Sequence, residues 1–338
     1  MVWLGAPRGK LCAVPIDDCR LSFGGMALYP AYRASARFAQ TLLRAWVTAR
    51  ALLPAQPRTC GGVWALGNVL RPVFPDAVGA SALIAPRGAT LLIMDRRGGA
   101  LGYVKYAESA EGVRRLRNEA DLVQRVPDGL SPRVLLHTRF GSGEILAESA
   151  IRGRPCAPRL ALERPQRDFL GALARGSGTA ACYAVTEHPL VLLHRNADGP
   201  HRPVLERALG ALQGATWRRV LMHGDFTFAN TRVLDGACAA FDWEWGSEAG
   251  FPYLDAAHWL IRVARGIQRL APADAARRVV RALFAAIDEP DRGYSAGLAA
   301  LAAIHSVASW YGSDLGASDE PGWLLRFAGA CLEQGAPA

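Results

Sequence analysis

The sequence predicts an α+β chain in which a small antiparallel sheet precedes a mostly helical second half. Three observations carry that expectation. Short apolar runs at residues 82–85, 90–94 and 100–106 follow one another across turn-forming segments, as strands of a meander do. Further on, longer periodic stretches at residues 166–174, 203–213, 255–265, 273–286 and 297–310 have helical length. With 338 residues, 51% of them hydrophobic, the chain can bury a sizeable core and divides naturally into lobes.

Taken in order, residues 1–75 read as an N-terminal extension. Within it, residues 32–53 form an amphipathic helix: Phe38, Leu42, Ala45, Trp46 and Ala49 make one stripe, and Arg33, Arg37 and Arg44 lie on another. Such a helix packs on its own protein or touches a partner or a membrane surface, and its partner is not identified by sequence. Residues 53–75, with Pro54, Pro57, Gly61, Gly62, Pro72 and Pro75, read as loop and boundary. Residues 76–150 hold the three strands, a helix over 114–126 that contains Glu119, and two more strands at 133–136 and 144–149. The first turn is Pro86-Arg87-Gly88-Ala89 and the second runs from Asp95 to Gly99. Residues 151–338 form the helical lobe.

Composition excludes several classes. The net charge of +9 is concentrated toward the N-terminus, but the arginines are dispersed and match no nucleic-acid-binding module. No apolar run is long enough for a transmembrane helix, and residues 298–310, which carry His305, suit a buried helix. Met1-Val2-Trp3-Leu4-Gly5 has no signal-peptide pattern. Seven scattered cysteines include no Cys-x-x-Cys pair, which fits neither a disulfide framework nor a zinc site and points to a reducing cytoplasm.

The most informative segment is His223-Gly224-Asp225-Phe226-Thr227-Phe228-Ala229-Asn230, followed by Asp242-Trp243-Glu244. Thr231 to Leu234 alternates, Asp235-Gly236 is a two-residue hairpin signal, and Ala237 to Phe241 is mostly apolar. If Asp235-Gly236 is the turn, Leu234 faces Ala237, Asn230 faces Phe241, and Ala229 faces Asp242. Asn230 and Asp242 then meet at the open end of the hairpin, roughly 5 Å apart across the strands. Both offer hard oxygen ligands that suit Mg²⁺. An Asp, an Asn five residues on and a second Asp across a hairpin are the equipment of ATP-dependent phosphoryl transfer.

Residues 221–259 resemble the catalytic block of the aminoglycoside phosphotransferase and choline kinase-like group, the small-molecule branch of the protein-kinase-like fold. The resemblance implies a two-lobe fold, with Asp225 as catalytic base, Asn230 and Asp242 as magnesium ligands, His223 shaping the loop, and Asp255 bracing it from the next helix. It also calls for an upstream lysine on the nucleotide phosphates and a glutamate that holds it, for which Lys105 and Glu119 are the one credible pair. Of 39 basic residues only Lys10 and Lys105 are lysines, so a Lys inside an apolar strand marks a need for a compact ammonium. Arg87 and Gly88 stand where the phosphate-covering loop belongs. The adenine hinge falls on residues 146–149, where the backbone of Glu148 and Ser149 would read the base. The implied cofactors are ATP, with GTP as an alternative, and Mg²⁺. The implied partner is a small-molecule hydroxyl acceptor such as a sugar, amino sugar or aminoglycoside, with no nucleic acid and no stable membrane insertion.

The rivals are a catalytically silent nucleotide-binding scaffold, a protein kinase, and a metal-dependent hydrolase using His223 and Asp225. The second lacks Asp-Phe-Gly and Ala-Pro-Glu stretches. The third lacks ligand spacing among His137, His188, His194, His201, His258 and His305, of which His188, His194 and His201 read as turn caps or surface residues. For the acceptor, the sequence offers Trp243, Trp245, Trp259, Trp310 and Trp323 as stacking faces or core packing, and a mildly acidic C-terminal region.

Overall fold

A computed structural model describes residues 2–6, 10–15, 18–28, 34–51, 64–85, 88–176, 181–288, 291–310 and 320–334. The chain forms two compact units, residues 1–124 with 132–151, and residues 125–131 with 152–338.

In the first unit, chain order runs β1 (Val2–Ala6), β2 (Lys10–Val14), α1 (Cys19–Gly25), α2 (Ala34–Ala51), α3 (Trp64–Leu70), β3 (Gly79–Ala85), β4 (Gly88–Met94), β5 (Ala100–Ala107), α4 (Ala110–Val123), β6 (Val134–Phe140) and β7 (Gly143–Ser149). The strands make one antiparallel sheet in the order β1-β2-β3-β4-β5-β7-β6. Ile93, Val104, Ile145 and Ala147 pack on Leu70 and Phe74, at and just beyond the end of α3. Ala107 and Leu146 pack on Leu116 and Ala120 of α4. Because side chains alternate along a strand, Lys105 points to the opposite face from Val104. Ser109 starts α4 by accepting the Gly112 N–H at 3.1 Å, and Glu111 lies in the first turn, where the helix dipole favours a carboxylate.

Two features differ from the sequence reading. The sheet begins before residue 76, since β2 pairs with β3, Cys12 opposite Leu83, across a separation no local pattern reveals. Residues 64–70, inside the supposed loop, form α3: Gly61, Gly62, Pro72 and Pro75 flank the helix, and Gly67 within it does not interrupt it. Helix α2 rests on the side that buries Val47, leaving Phe38, Leu42 and Trp46 exposed.

The second unit comprises β8 (Arg154–Pro155), α5 (Arg164–Gly176), β9 (Cys182–Ala184), α6 (Pro189–Asn196), α7 (Arg202–Ala211), β10 (Thr216–Arg218), β11 (Val220–Met222), β12 (Thr231–Leu234), β13 (Ala237–Ala240), β14 (Ser247–Gly250), α8 (Leu254–Gly266), α9 (Pro272–Ala286), α10 (Ser295–Trp310) and α11 (Glu320–Gln334). Its strands form small sheets, β9 with β10, β11 with β14, and β8-β12-β13. Helix α10 is apolar on all sides because α7, α8, α9 and α11 surround it. No described helix is long and apolar enough to cross a membrane.

The three histidines read as turn or surface residues are buried instead. His188 does cap α6, accepting the Leu190 N–H at 3.3 Å, but it is fully enclosed and packs, tilted by 57°, against Phe251 with centroids 4.6 Å apart. Burial pushes its pKa down to about 4. His194 reaches His305 of α10 at 2.9 Å, and His201 reaches the His194 carbonyl at 3.3 Å. A polar side chain that finds partners inside the protein can be buried, and two of the partners here are long-range: His305 for His194, and the Arg218 carbonyl, 3.3 Å from His188 Nε2.

Candidate active site

The local hairpin forms as its residues dictate. Asp235 and Gly236 both have positive φ, 51° and 82°, as a type I′ turn requires. The register sets Leu234 opposite Ala237 and Thr231 opposite Ala240, and the Phe241 N–H donates to the Asn230 carbonyl at 3.0 Å. Asn230 and Asp242 therefore stand at the same open end. Asp242 has φ of 72°, a left-handed backbone that costs a non-glycine residue about 1–2 kcal/mol. Strain of this kind collects at functional positions.

The loop before the hairpin is fixed from below. Asp255, near the start of α8, accepts the His223 N–H at 2.7 Å on one oxygen and the Gly224 N–H at 2.9 Å on the other. Burial pushes its carboxyl above the usual range, and the His223 ring and these two donors counteract part of that rise. Gly224 has φ of +81°, and a Cβ there would lie 2.1 Å from the Trp245 carbonyl oxygen, so only glycine fits between the histidine and the aspartate.

His223 accepts the Asp225 N–H on Nδ1 at 3.3 Å, which places its own hydrogen on Nε2, 3.0 Å from the Phe241 carbonyl. One ring thus ties the loop to the far strand of the hairpin. Around it, Phe226 stacks on Phe169 at 5.1 Å, Trp259 lies 5.5 Å from Phe226, and Trp243 lies 4.6 Å from His223. Trp243, Trp259 and Trp323 are buried, which assigns these three indoles to packing and removes them as stacking faces for a ligand.

Asp225 emerges at the top with 23% of its side chain exposed. Asn230 donates Nδ2 to Asp225 Oδ2 at 2.9 Å and to the Asp225 carbonyl at 3.1 Å. His258 of α8 meets Asp225 Oδ1 at 3.0 Å. Burial works to raise the Asp225 carboxyl, but the hydrogen bond and charge of His258, with Arg262 and His223, outweigh it and hold the group below its ordinary range. Sequence reasoning placed His258 only among histidines without ligand spacing. The signal that could have found it is helical: Asp255 and His258 are three apart and share a face.

Could these residues hold a cation? With both Nδ2 hydrogens of Asn230 directed at Asp225, its carbonyl oxygen is the atom left for a metal, and Asp242 adds a carboxylate. The donor set is all oxygen and suits Mg²⁺ better than a softer metal. Among the described residues no group of three or more His, Cys, Asp or Glu forms a self-sufficient metal cage. Such a site would need oxygens from a bound phosphate or water.

In the sheet unit, Lys105 on β5 places Nζ 2.7 Å from both carboxylate oxygens of Glu119 on α4. Glu119 is fully buried, while 15% of the Lys105 side chain is exposed. Gly88 opens β4, where a Cβ would lie 2.2 Å from the Tyr106 carbonyl oxygen, so close strand packing alone explains the glycine. Arg87 lies outside the described residues. Glu148 and Ser149 sit inside β7, which is paired on both sides: Glu148 opposes Tyr103 of β5 and Val134 of β6, and the Ser149 N–H donates to the Arg133 carbonyl at 2.9 Å. These backbone groups serve the sheet, and the ladder continues to Ala150, whose N–H donates to the Leu101 carbonyl at 3.1 Å.

A cavity of about 400 Å³ in the helical unit is lined by α5, β11 and the segment leading into α8, including Arg218, Tyr253 and Asp255. Asp225, Asn230 and Asp242 are not among its lining residues, so it is separate from the chemistry described above.

No family model matches the sequence, and no curated protein matches it. Solved structures do. A thermostable mutant of the aminoglycoside phosphotransferase APH(4)-Ia, in ternary complex with ADP and hygromycin B, aligns over 81% of this chain and 100% of its own, with a TM-score of 0.50 and 14% identity. An ethanolamine kinase from Plasmodium vivax aligns over 89% of this chain and 96% of its own, with a TM-score of 0.50 and 12% identity. At such identities the likeness speaks for architecture. The fold of this chain is the α+β protein-kinase-like fold of the aminoglycoside phosphotransferase and choline kinase-like group.

Proposed function

We propose that this chain is a phosphotransferase that moves the γ-phosphoryl group of ATP to a hydroxyl of a small molecule. The observation that carries the reading is the Asp225–Asn230 pair: a carboxylate held on both oxygens, partly exposed, beside an amide whose oxygen is turned away from it. Its acidity below the ordinary range keeps Asp225 ionised at neutral pH, as an acceptor for a substrate hydroxyl must be.

Asp225 orients the acceptor hydroxyl and takes up its proton as the new O–P bond forms and the bond from the γ-phosphorus to the β-phosphate oxygen breaks, releasing ADP. General-base help of this kind is worth about 10²- to 10⁴-fold. Asn230 and Asp242 would hold Mg²⁺, which would supply positive charge against the nucleotide phosphates. Lys105, oriented by Glu119, supplies a compact positive charge to phosphate oxygens. His223 and Asp255 keep the loop in shape and touch no reactant. Positioning and charge neutralisation account for most of the remaining acceleration.

The fold supports a small-molecule acceptor, since the two neighbours named above are an enzyme bound to hygromycin B and an ethanolamine kinase. An amine-bearing alcohol, amino sugar or aminoglycoside is the first class to try, with neutral sugars next. The test is ADP release from Mg·ATP, and from Mg·GTP, against a panel of these acceptors. Asp225→Asn should lower kcat by about 10²- to 10⁴-fold with nucleotide affinity retained. Asp242→Ala should lose Mg·ATP binding itself. An Asp225→Asn variant that turns over at the wild-type rate with every acceptor the parent uses would end the proposal.

A further inference from the structure

Both oxygens of the Asp225 carboxylate are held, and one of the two holders has no place in the roles assigned so far. His258 is 4% exposed and sits one helical turn beyond Asp255. Its Nε2 lies 3.0 Å from Asp225 Oδ1, and its Nδ1 lies 3.2 Å from Ser306 Oγ on α10. Ser306 Oγ donates its hydrogen to the Ala302 carbonyl one turn back, at 3.1 Å. Ring and hydroxyl are thus joined in one hydrogen-bonded chain, at whose far end an ionised carboxylate can only accept, so the ring presents Nε2–H to Asp225. The ring plane is thereby set from α10, and Nε2 is aimed at the carboxylate.

The geometry points to His258 as a positioning residue for the proposed base, one that rests on the phosphotransferase reading and refines it. The carboxylate is clamped between a ring from α8 on Oδ1 and the Asn230 amide at 2.9 Å on Oδ2, so turning about the Asp225 side chain breaks one contact or the other. An ionised carboxylate has about four acceptor sites, which leaves lone pairs for a substrate hydroxyl with both clamps in place. His258 touches no reactant. It acts by fixing where Asp225 points, and a misplacement of about 1 Å can cost on the order of 10²-fold in rate.

Two substitutions separate the halves of the clamp. A glutamine amide nitrogen reaches the position of Nε2, whereas an asparagine amide reaches only that of Nδ1. His258→Gln therefore keeps a donor to Asp225, and His258→Asn keeps the link to Ser306 and loses Asp225. The probe is Mg·ATP hydrolysis with water as acceptor, followed by the best hydroxyl acceptor from the panel.

We expect His258→Asn to lower kcat by about 10- to 100-fold with KM for ATP within about threefold, and His258→Gln to recover most of that loss. Equal loss in the two variants, retained kcat in His258→Asn, or a loss confined to KM would overturn the inference. Should either variant fail to fold, the imidazole ¹⁵N spectrum of the wild-type chain and of Asp225→Asn decides. A displaced His258 Nε2 signal supports the clamp, and an unmoved one rejects it. The two levels stay distinguishable. A wild-type chain silent toward ATP, water and every acceptor removes both readings, whereas turnover that Asp225→Asn abolishes and His258→Asn leaves intact removes only this one.

Discussion

In the sheet unit the buried Glu119 carboxylate is held by a side-chain ammonium, that of Lys105, whereas in the helical unit the buried Asp255 carboxylate is held by two backbone N–H groups. The difference governs what a substitution leaves behind. Removing one member of a buried ion pair strands a charge. Removing a carboxylate that accepts from the backbone strands neutral donors, which costs less for each group and also releases the loop they belong to.

The sharpest way to break the comparison is Lys105→Met. It leaves Glu119 buried without its ammonium and should destabilise the sheet unit by about 3–5 kcal/mol in a denaturant melt. The double variant Lys105→Met/Glu119→Leu should recover most of that loss. A double variant no more stable than the single one would show that the pair is not the source. In the helical unit, Asp255→Ala strands the N–H groups of His223 and Gly224 and should cost about 2–4 kcal/mol. Hydrogen exchange at residues 223–225 should rise in step. Unchanged exchange there would mean that the aromatic packing around His223, not Asp255, shapes the loop.

The most gradual effect comes from acid. Burial holds His188 and His194 at about 4, below the ordinary histidine value of 6.5. Burial lowers His305 as well. Between those limits the unfolded chain binds more protons than the folded one. Stability is therefore complete above about pH 6.5 and declines as pH falls toward 4, by up to about 1.4 kcal/mol per pH unit for each group. All three lie in the helical unit, so segmental hydrogen exchange, corrected for intrinsic rates, should show that unit losing protection first between pH 7 and 5. Simultaneous loss in the sheet unit would remove this contrast.

Much of the site was legible because its geometry is local. Asp235-Gly236 sets a type I′ turn, the turn sets the register, and the register brings Asn230 and Asp242 to one end. Lys105 stood out because the chain otherwise writes arginine, and an alternating strand turned it to the face that Glu119 occupies. Whether the backbone at residues 146–149 is free to read a base was not legible for the converse reason: that depends on β5 and β6, which pair with β7 from distant positions.

Sequence by itself therefore determined the turn chemistry, most of the strand and helix periods, and which oxygen-bearing side chains stand together on the hairpin. Only the tertiary structure decided that β1 and β2 extend the sheet, that His188, His194 and His305 are buried, and that His258 and Ser306 stand behind Asp225. The physical reason is range. Turns and periods are settled within a few residues, whereas burial and hydrogen-bond partnership are settled by whichever segment packs alongside, here 33 residues away for His258 and Asp225 and 111 for His194 and His305.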